Sequence, residues 1–229
     1  QEDIDKWVKW VGDEAEKRLT EFFPSLPGET VQNYLWAHTV VCPSCQSVVP
    51  LSPNWWLSKT SNYAGKNQAR KVTSDWCAVK PIPNLAQKRV DFELVKGKKG
   101  KDTTIKMDAG DYDPSDYSTI SRGVGKCPNC GSVIEDEVIK LQAQSAGLGH
   151  QLYAVAYKKG KGNLDFRVPD ELDINSVNKA ISNVDKKFSN LANYNIIPRE
   201  RREKTGTQAE RVFIYGITEA SHYFNPRQL

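Results

Sequence analysis

Cys42-Pro43-Ser44-Cys45 and Cys127-Pro128-Asn129-Cys130 are one pattern written twice, with 81 residues between the two copies. A two-residue spacing lets a pair of thiolates bite one metal ion from a single tight turn, whose backbone N–H groups point at the sulfurs. Proline restricts that turn before the ion arrives and so lowers the ordering cost. Gly131 follows the second pair and tolerates the left-handed backbone such a turn needs; Gln46 stands at that place after the first. One knuckle offers two ligands and a tetrahedral ion takes four, so Cys42, Cys45, Cys127 and Cys130 read as one site.

The expected occupant is a structural Zn2+. Iron in a rubredoxin-like site uses the same four donors, and a pair of redox motifs is the competing reading of the spacing. Redox motifs open a helix after a strand in a βαβ unit, whereas both pairs here lie between strand-like segments. Four thiolates close the coordination sphere and leave no position for water, so the expected role is a staple between two hairpins. The intervening residues then form a subdomain stitched into a ribbon.

Working outward, residues 34–41 read as the strand feeding the first knuckle and 47–51 as its return. Residues 76–82 and 88–95 read as strands, the second by its period-2 alternation, and 103–107 is expected to pair with it. Residues 108–119 are acidic and turn-rich. A short helix is predicted over 135–145, preceding the turn Gly147-Leu148-Gly149-His150. Residues 152–157 and 164–168 make a hairpin with Lys158-Lys159-Gly160-Lys161-Gly162 at its tip. A helix over 175–192 puts Val177, Ala180, Ile181, Val184, Phe188 and Leu191 on one face, and 212–217 reads as a final strand. At the N-terminus, Trp7, Trp10, Val11, Ala15, Leu19, Phe22 and Phe23 recur at helical spacing over 3–23. That pattern predicts a helix packed on a core by its aromatic stripe and ended by Pro24. The fold class is thus α+β: a four-cysteine zinc ribbon with a large β-rich insertion between its knuckles, flanked by helices. Its parts are an amphipathic helix and linker over 1–33, the ribbon over 34–134 with the insertion at 46–126, and an α/β part over 135–229.

A chain of 229 residues with six Trp and nine Tyr can build a core, and suits one large domain or one domain with an elaborate insertion. The net charge of +4 permits nucleic-acid binding without demanding it. No apolar run reaches ~18 residues, so no transmembrane helix and no membrane partner are expected. Five cysteines, four of them in two pairs, argue against a secreted disulfide scaffold and for a reducing cytoplasm. The odd one, Cys77, reads as a buried thiol in a strand. The sequence opens without Met, and Asn225-Pro226 near its end reads as the cap and first turn of a helix, as in a piece of a longer protein.

Signals for catalysis are thin. His38, His150 and His222 adjoin no nucleophile motif, and no phosphate loop of recognised spacing occurs. Basic clusters say more. Lys98, Lys99 and Lys101 follow Lys96 in one turn; Lys158 and Lys159 sit in another; Arg199, Arg201 and Arg202 lie in a charged stretch. Gathered on one face they would track phosphates. Trp55-Trp56 reads as a core or subdomain contact, with base stacking as its alternative use.

Several phrases together resemble one family. Tyr34-Leu35-Trp36-Ala37-His38-Thr39-Val40-Val41-Cys42 leads into the first knuckle, and Val49-Pro50-Leu51 and Trp55-Trp56-Leu57-Ser58-Lys59 follow it. Tyr215-Gly216-Ile217 and Phe224-Asn225-Pro226-Arg227-Gln228-Leu229 close the chain. These resemble the middle region of the adenine-specific DNA methylases that contain a Zn-ribbon. The resemblance implies that the four cysteines form that ribbon. In such methylases a Gly-rich loop binds S-adenosylmethionine and an Asp-Pro-Pro-Tyr motif grips the flipped adenine; neither motif is in this sequence. No catalytic or cofactor residue carries over, and S-adenosylmethionine is expected only for the full-length parent. The expected role is a non-catalytic accessory region that contacts double-stranded DNA or aids target recognition. The alternative is an interaction module docking a partner subunit or the parent's own catalytic domain.

Overall fold

A computed structural model describes residues 2–59, 75–97, 113–114, 116–191 and 212–223. In chain order the elements are α1 (Glu2–Leu19), a 3-10 turn (Thr20–Phe22), β1 (Glu29–Val41), β2 (Val48–Leu51), β3 (Trp56–Ser58), β4 (Trp76–Asn84), β5 (Arg89–Gly97), β6 (Ile120–Ser121), β7 (Val124–Lys126), β8 (Val133–Ile134), α2 (Asp136–Ala146), β9 (Gly149–Lys159), β10 (Leu164–Arg167), α3 (Glu171–Leu191) and a second 3-10 turn (Ala220–Tyr223). The mixed α+β class expected from the sequence is the one found.

A four-stranded antiparallel sheet, ordered β10-β9-β1-β2, organises the rest. Its centre is the long pairing of β1 with β9. The strand that feeds the first cysteine pair therefore shares its sheet with the C-terminal part of the chain. Ala154, Val155, Ala156 and Tyr157 of β9 are all buried, because both faces of the strand are covered. On one face Ala154 and Ala156 meet Trp55, Cys77, Val79 and Phe166. Several of these belong to the insertion, whose strands form a second sheet ordered β3-β4-β5. On the other face Val155 and Leu152 meet Val177 of α3, with Tyr34, Trp36 and Ile181 around them. The register slips between Leu35↔Ala154 and Trp36↔Leu152, which leaves Tyr153 as the extra residue of a bulge. A bulge puts neighbouring side chains on one side of the strand. Tyr153 accordingly joins Ala154 beside Trp55, and Leu152 turns to the helix face.

α3 is locked at its start. Asp170 N–H donates to Asp173 Oδ2 and Asp173 N–H to Asp170 Oδ1, both at 3.0 Å, a reciprocal cap in which two carboxylates satisfy first-turn donors. Asp173 is fully buried and takes a two-pronged ion pair from Arg167. The same guanidinium donates to Glu29 at 3.1 Å, so one side chain joins β10, the start of β1 and α3.

Two expectations fail. No side chain of α1 is buried: Ile4, Trp7, Val8, Trp10 and Val11 are each 56–67% exposed. The helix forms on its apolar period, but it is the segment after it that reaches the body, through Glu21 and Phe22 with Lys179 of α3 and through Phe23 and Pro24 with Tyr34 of β1. Residues 212–217 are not a strand; 212–214 form a helical turn closed by Tyr215 N–H to Val212 O at 3.1 Å. The β-branched run packs on α2, where Gln144 Nε2 donates to Ile214 O and Gly216 lies against the Ala143 carbonyl too closely for a Cβ. That contact outweighs β propensity, which is a weak and context-bound preference. β1 also begins five residues before the expected strand. The expected strand at 103–107, most of the acidic stretch, Lys98, Lys99, Lys101, Arg199, Arg201, Arg202 and Phe224–Leu229 lie outside the described residues.

Candidate metal centre

The two knuckles are built alike. In the first, Cys42 N–H donates to Ser47 O and Gln46 N–H to Cys42 O, both at 2.9 Å. In the second, Cys127 N–H donates to Ser132 O and Gly131 N–H to Cys127 O, again at 2.9 Å. Each turn sits between two antiparallel strands, β1 and β2 or β7 and β8, as expected of a hairpin knuckle and unlike a redox motif opening a helix. The first cysteine of each pair, Cys42 and Cys127, is fully buried in a cluster with Val40, Val49, Ile134 and Ile139. The second of each, Cys45 and Cys130, lies nearer the surface.

The folded chain brings all four thiols together. Their Sγ atoms lie within 4.8 Å of one another, with Cys42–Cys130 at 3.7 Å and Cys45–Cys127 at 3.6 Å. Four sulfurs about 2.3 Å from a tetrahedral ion are separated by about 3.8 Å. The donor set fits a metal ion, and two of the sulfur pairs already stand at that spacing. No other group of three or more metal-ligating side chains is close enough to hold an ion among the described residues.

The excursion between the knuckles is tied at its neck. Thr119 N–H donates to Ser52 O at 2.9 Å, and the buried Thr119 hydroxyl donates to Pro50 O and accepts from Ser52 N–H. Asn129 Nδ2, inside the second knuckle, donates to Arg89 O at 3.0 Å and so anchors the centre to β5. Gln142 of α2 bonds both N–H and C=O of Val41 at 2.8 Å, continuing the ladder past the end of β9.

Position 46 departs from the glycine rule and complies with the geometry. Gln46 holds φ 60 where Gly131 holds φ 74. A left-handed backbone costs a non-glycine residue roughly 1–2 kcal/mol, part of which a glycine gives back through its freer unfolded chain. Gln46→Gly is expected to stabilise the chain by about 0.5–1 kcal/mol, and Gly131→Ala to destabilise it by about 1 kcal/mol, in denaturant titrations.

The thiols differ electrically. Burial pushes Cys127 up to about 12, while hydrogen bonding to Ser132 brings Cys130 down to about 6. Hydrogen bonding to Ser47 likewise holds Cys45 below its ordinary value. At neutral pH Cys127 keeps its proton until a metal takes its sulfur, so binding expels protons and apparent affinity falls as pH falls. Zn2+ affinity measured by chelator competition from pH 8 to pH 6 is expected to drop at least about 10-fold per unit, the slope of one proton. A flat profile would contradict this assignment of ligands.

Other candidates are placed as follows. Trp55 is buried against Phe92 and Tyr153 and donates to Tyr117 O at 2.7 Å, so it offers no surface to a base. Cys77 is a buried strand thiol pushed up to about 11 by that burial. Lys158 and Lys159 are exposed at the β9–β10 turn, with Lys159 4.0 Å from Glu29. His38 and His150 face each other across β1 and β9, a pairing that no local motif announced. No family model matches the chain, and neither a curated protein nor a solved structure does.

Proposed function

We propose that the four thiolates hold a structural zinc ion as a ribbon, and that the chain is a non-catalytic accessory region of an adenine-specific DNA methylase, contacting DNA beside the target base. The observation that carries the first part is the gathering of four sulfurs from two matched knuckles within 4.8 Å of one another. Support for the second is the resemblance of the ribbon-flanking phrases and the exposed Lys158 and Lys159. Extracting a base from duplex DNA needs grip on the flanking backbone, and a rigid metal-stapled scaffold with basic turns suits that task. Double-stranded DNA is thus the proposed partner, and S-adenosylmethionine belongs to the parent's catalytic domain. Duplex binding by the zinc-loaded chain should weaken with salt, with a log–log slope of about −0.9 per phosphate contacted. Lys158→Glu with Lys159→Glu should lower both affinity and slope. Undetectable binding at low salt would overturn the DNA role.

A second reading rests on a different observation. The unburied apolar face of α1, with Trp7 and Trp10 in edge-to-face contact, is the kind of surface a protein partner covers. On this reading the module docks the parent's catalytic domain or a partner subunit. Among the described residues no helix is long and apolar enough to cross a membrane, and a cytoplasmic setting remains part of the proposal. Gel filtration with the catalytic region separates the readings: docking predicts a complex that Trp7→Ser with Trp10→Ser abolishes, while DNA affinity stays unchanged.

A further inference from the structure

All three histidines of the chain line one cavity of about 870 Å³ between α2, the ends of β1 and β9, and residues 213–222. Its remaining walls are largely apolar, including Leu51, Ile139, Leu148 and Tyr215. His38 and His150 are directly opposed across β1 and β9, with ring centres 4.9 Å apart and planes at 52°. His222 keeps Nδ1 on the backbone, 3.1 Å from Gly216 O and 3.2 Å from Thr218 N.

We propose that His38 and His150 form a second, open metal site for a divalent transition ion. An ion bound to one nitrogen of each ring sits about 3.2 Å from each ring centre, so a tetrahedral angle separates the centres by about 5 Å. The observed spacing meets that value. Imidazole pairs suit zinc, copper and nickel. Opposed positions on adjacent antiparallel strands hold their side chains close without help from a loop. Partial burial lowers both exposed-edge histidines from their ordinary value, and at His150 the facing His38 adds to the shift, which favours the neutral, ligating form of the imidazole. Unlike the closed four-thiolate centre, a site of two imidazoles leaves positions for water or an anionic ligand within the cavity. The proposal is independent of the DNA reading.

The test uses zinc-loaded protein titrated with Ni2+ by calorimetry at pH 7.5, with the ring C–H signals of the three histidines followed by NMR. One Ni2+ per chain is expected, with the His38 and His150 signals broadened first. His38→Ala with His150→Ala should abolish that equivalent while zinc content stays unchanged, which shows that the variant folds. No Ni2+ binding by the wild-type chain, or binding that survives the double substitution, overturns the site.

Discussion

Cys127→Ser is expected to strip the metal from the chain and to unfold both hairpins of the ribbon together. Cys127 is fully buried beside Cys42, Val40, Val49, Ile134 and Ile139. The short strands β7 and β8 have three and two residues, too few to hold a hairpin without the ion or the cluster. Structural zinc contributes about 10–16 kcal/mol of folding free energy in isolated finger peptides. Here the apolar cluster carries part of the load, so a loss of about 5 kcal/mol or more is the expected scale. Bound zinc, read by atomic absorption, should fall from one ion per chain to a trace. Hydrogen exchange should quicken at the Cys42, Gln46, Cys127 and Gly131 amides, which close the two knuckles. Cys130→Ser, at the exposed corner, should weaken the metal with a smaller loss of fold, because it removes a ligand without opening the cluster. A Cys127→Ser chain that keeps its zinc and its melting temperature would contradict the placement of this thiol in the site.

The second large effect is expected at Trp55. Its ring fills the space between the insertion and the central sheet, packed on Phe92 of β5 and Tyr153 of β9 at 5.4 and 5.5 Å between ring centres. Trp55→Ala should cost about 3–5 kcal/mol, the usual loss for emptying a buried aromatic site. The Tyr117 carbonyl loses its donor as well, which adds to the cost. Trp55→Phe keeps most of the packing and loses only that hydrogen bond, so its cost should be the smaller of the two. Urea titrations measure both. A Trp55→Ala loss under about 1 kcal/mol would mean that the insertion is not docked on β9 through this residue.

How much of this was written in the sequence differs from element to element. The metal centre was legible residue by residue, because thiol spacing within each turn is a local constraint and only four of the five cysteines satisfy it. The hairpins on either side followed from the turns. The apolar face of α3 was also readable, since a helix carries its period in its own residues, but its start at Glu171 and its Asp170–Asp173 cap were not. What escaped was set by partners distant in sequence. Residues 212–217 have a strand's composition, yet they coil onto α2 because that is the surface within reach. α1 has a core helix's stripe, yet none of its side chains is buried among the described residues, and amphipathic period alone does not say what a face will meet. The β9 bulge at Tyr153, which sends Leu152 and Ala154 to opposite layers, leaves no mark in a strand of alternating small and apolar residues. His38 and His150 meet only through the β1–β9 register, and 111 residues separate them.

The account turns on one coordination sphere. X-ray absorption at the zinc edge of the purified chain measures it directly, by counting the atoms around the metal and their distances. The expected first shell of the tightly bound ion is four sulfurs at about 2.3 Å, with no nitrogen or oxygen. A first shell containing nitrogen or oxygen, or a metal-free chain whose cysteines have paired as Cys42–Cys45 and Cys127–Cys130 disulfides, would contradict it.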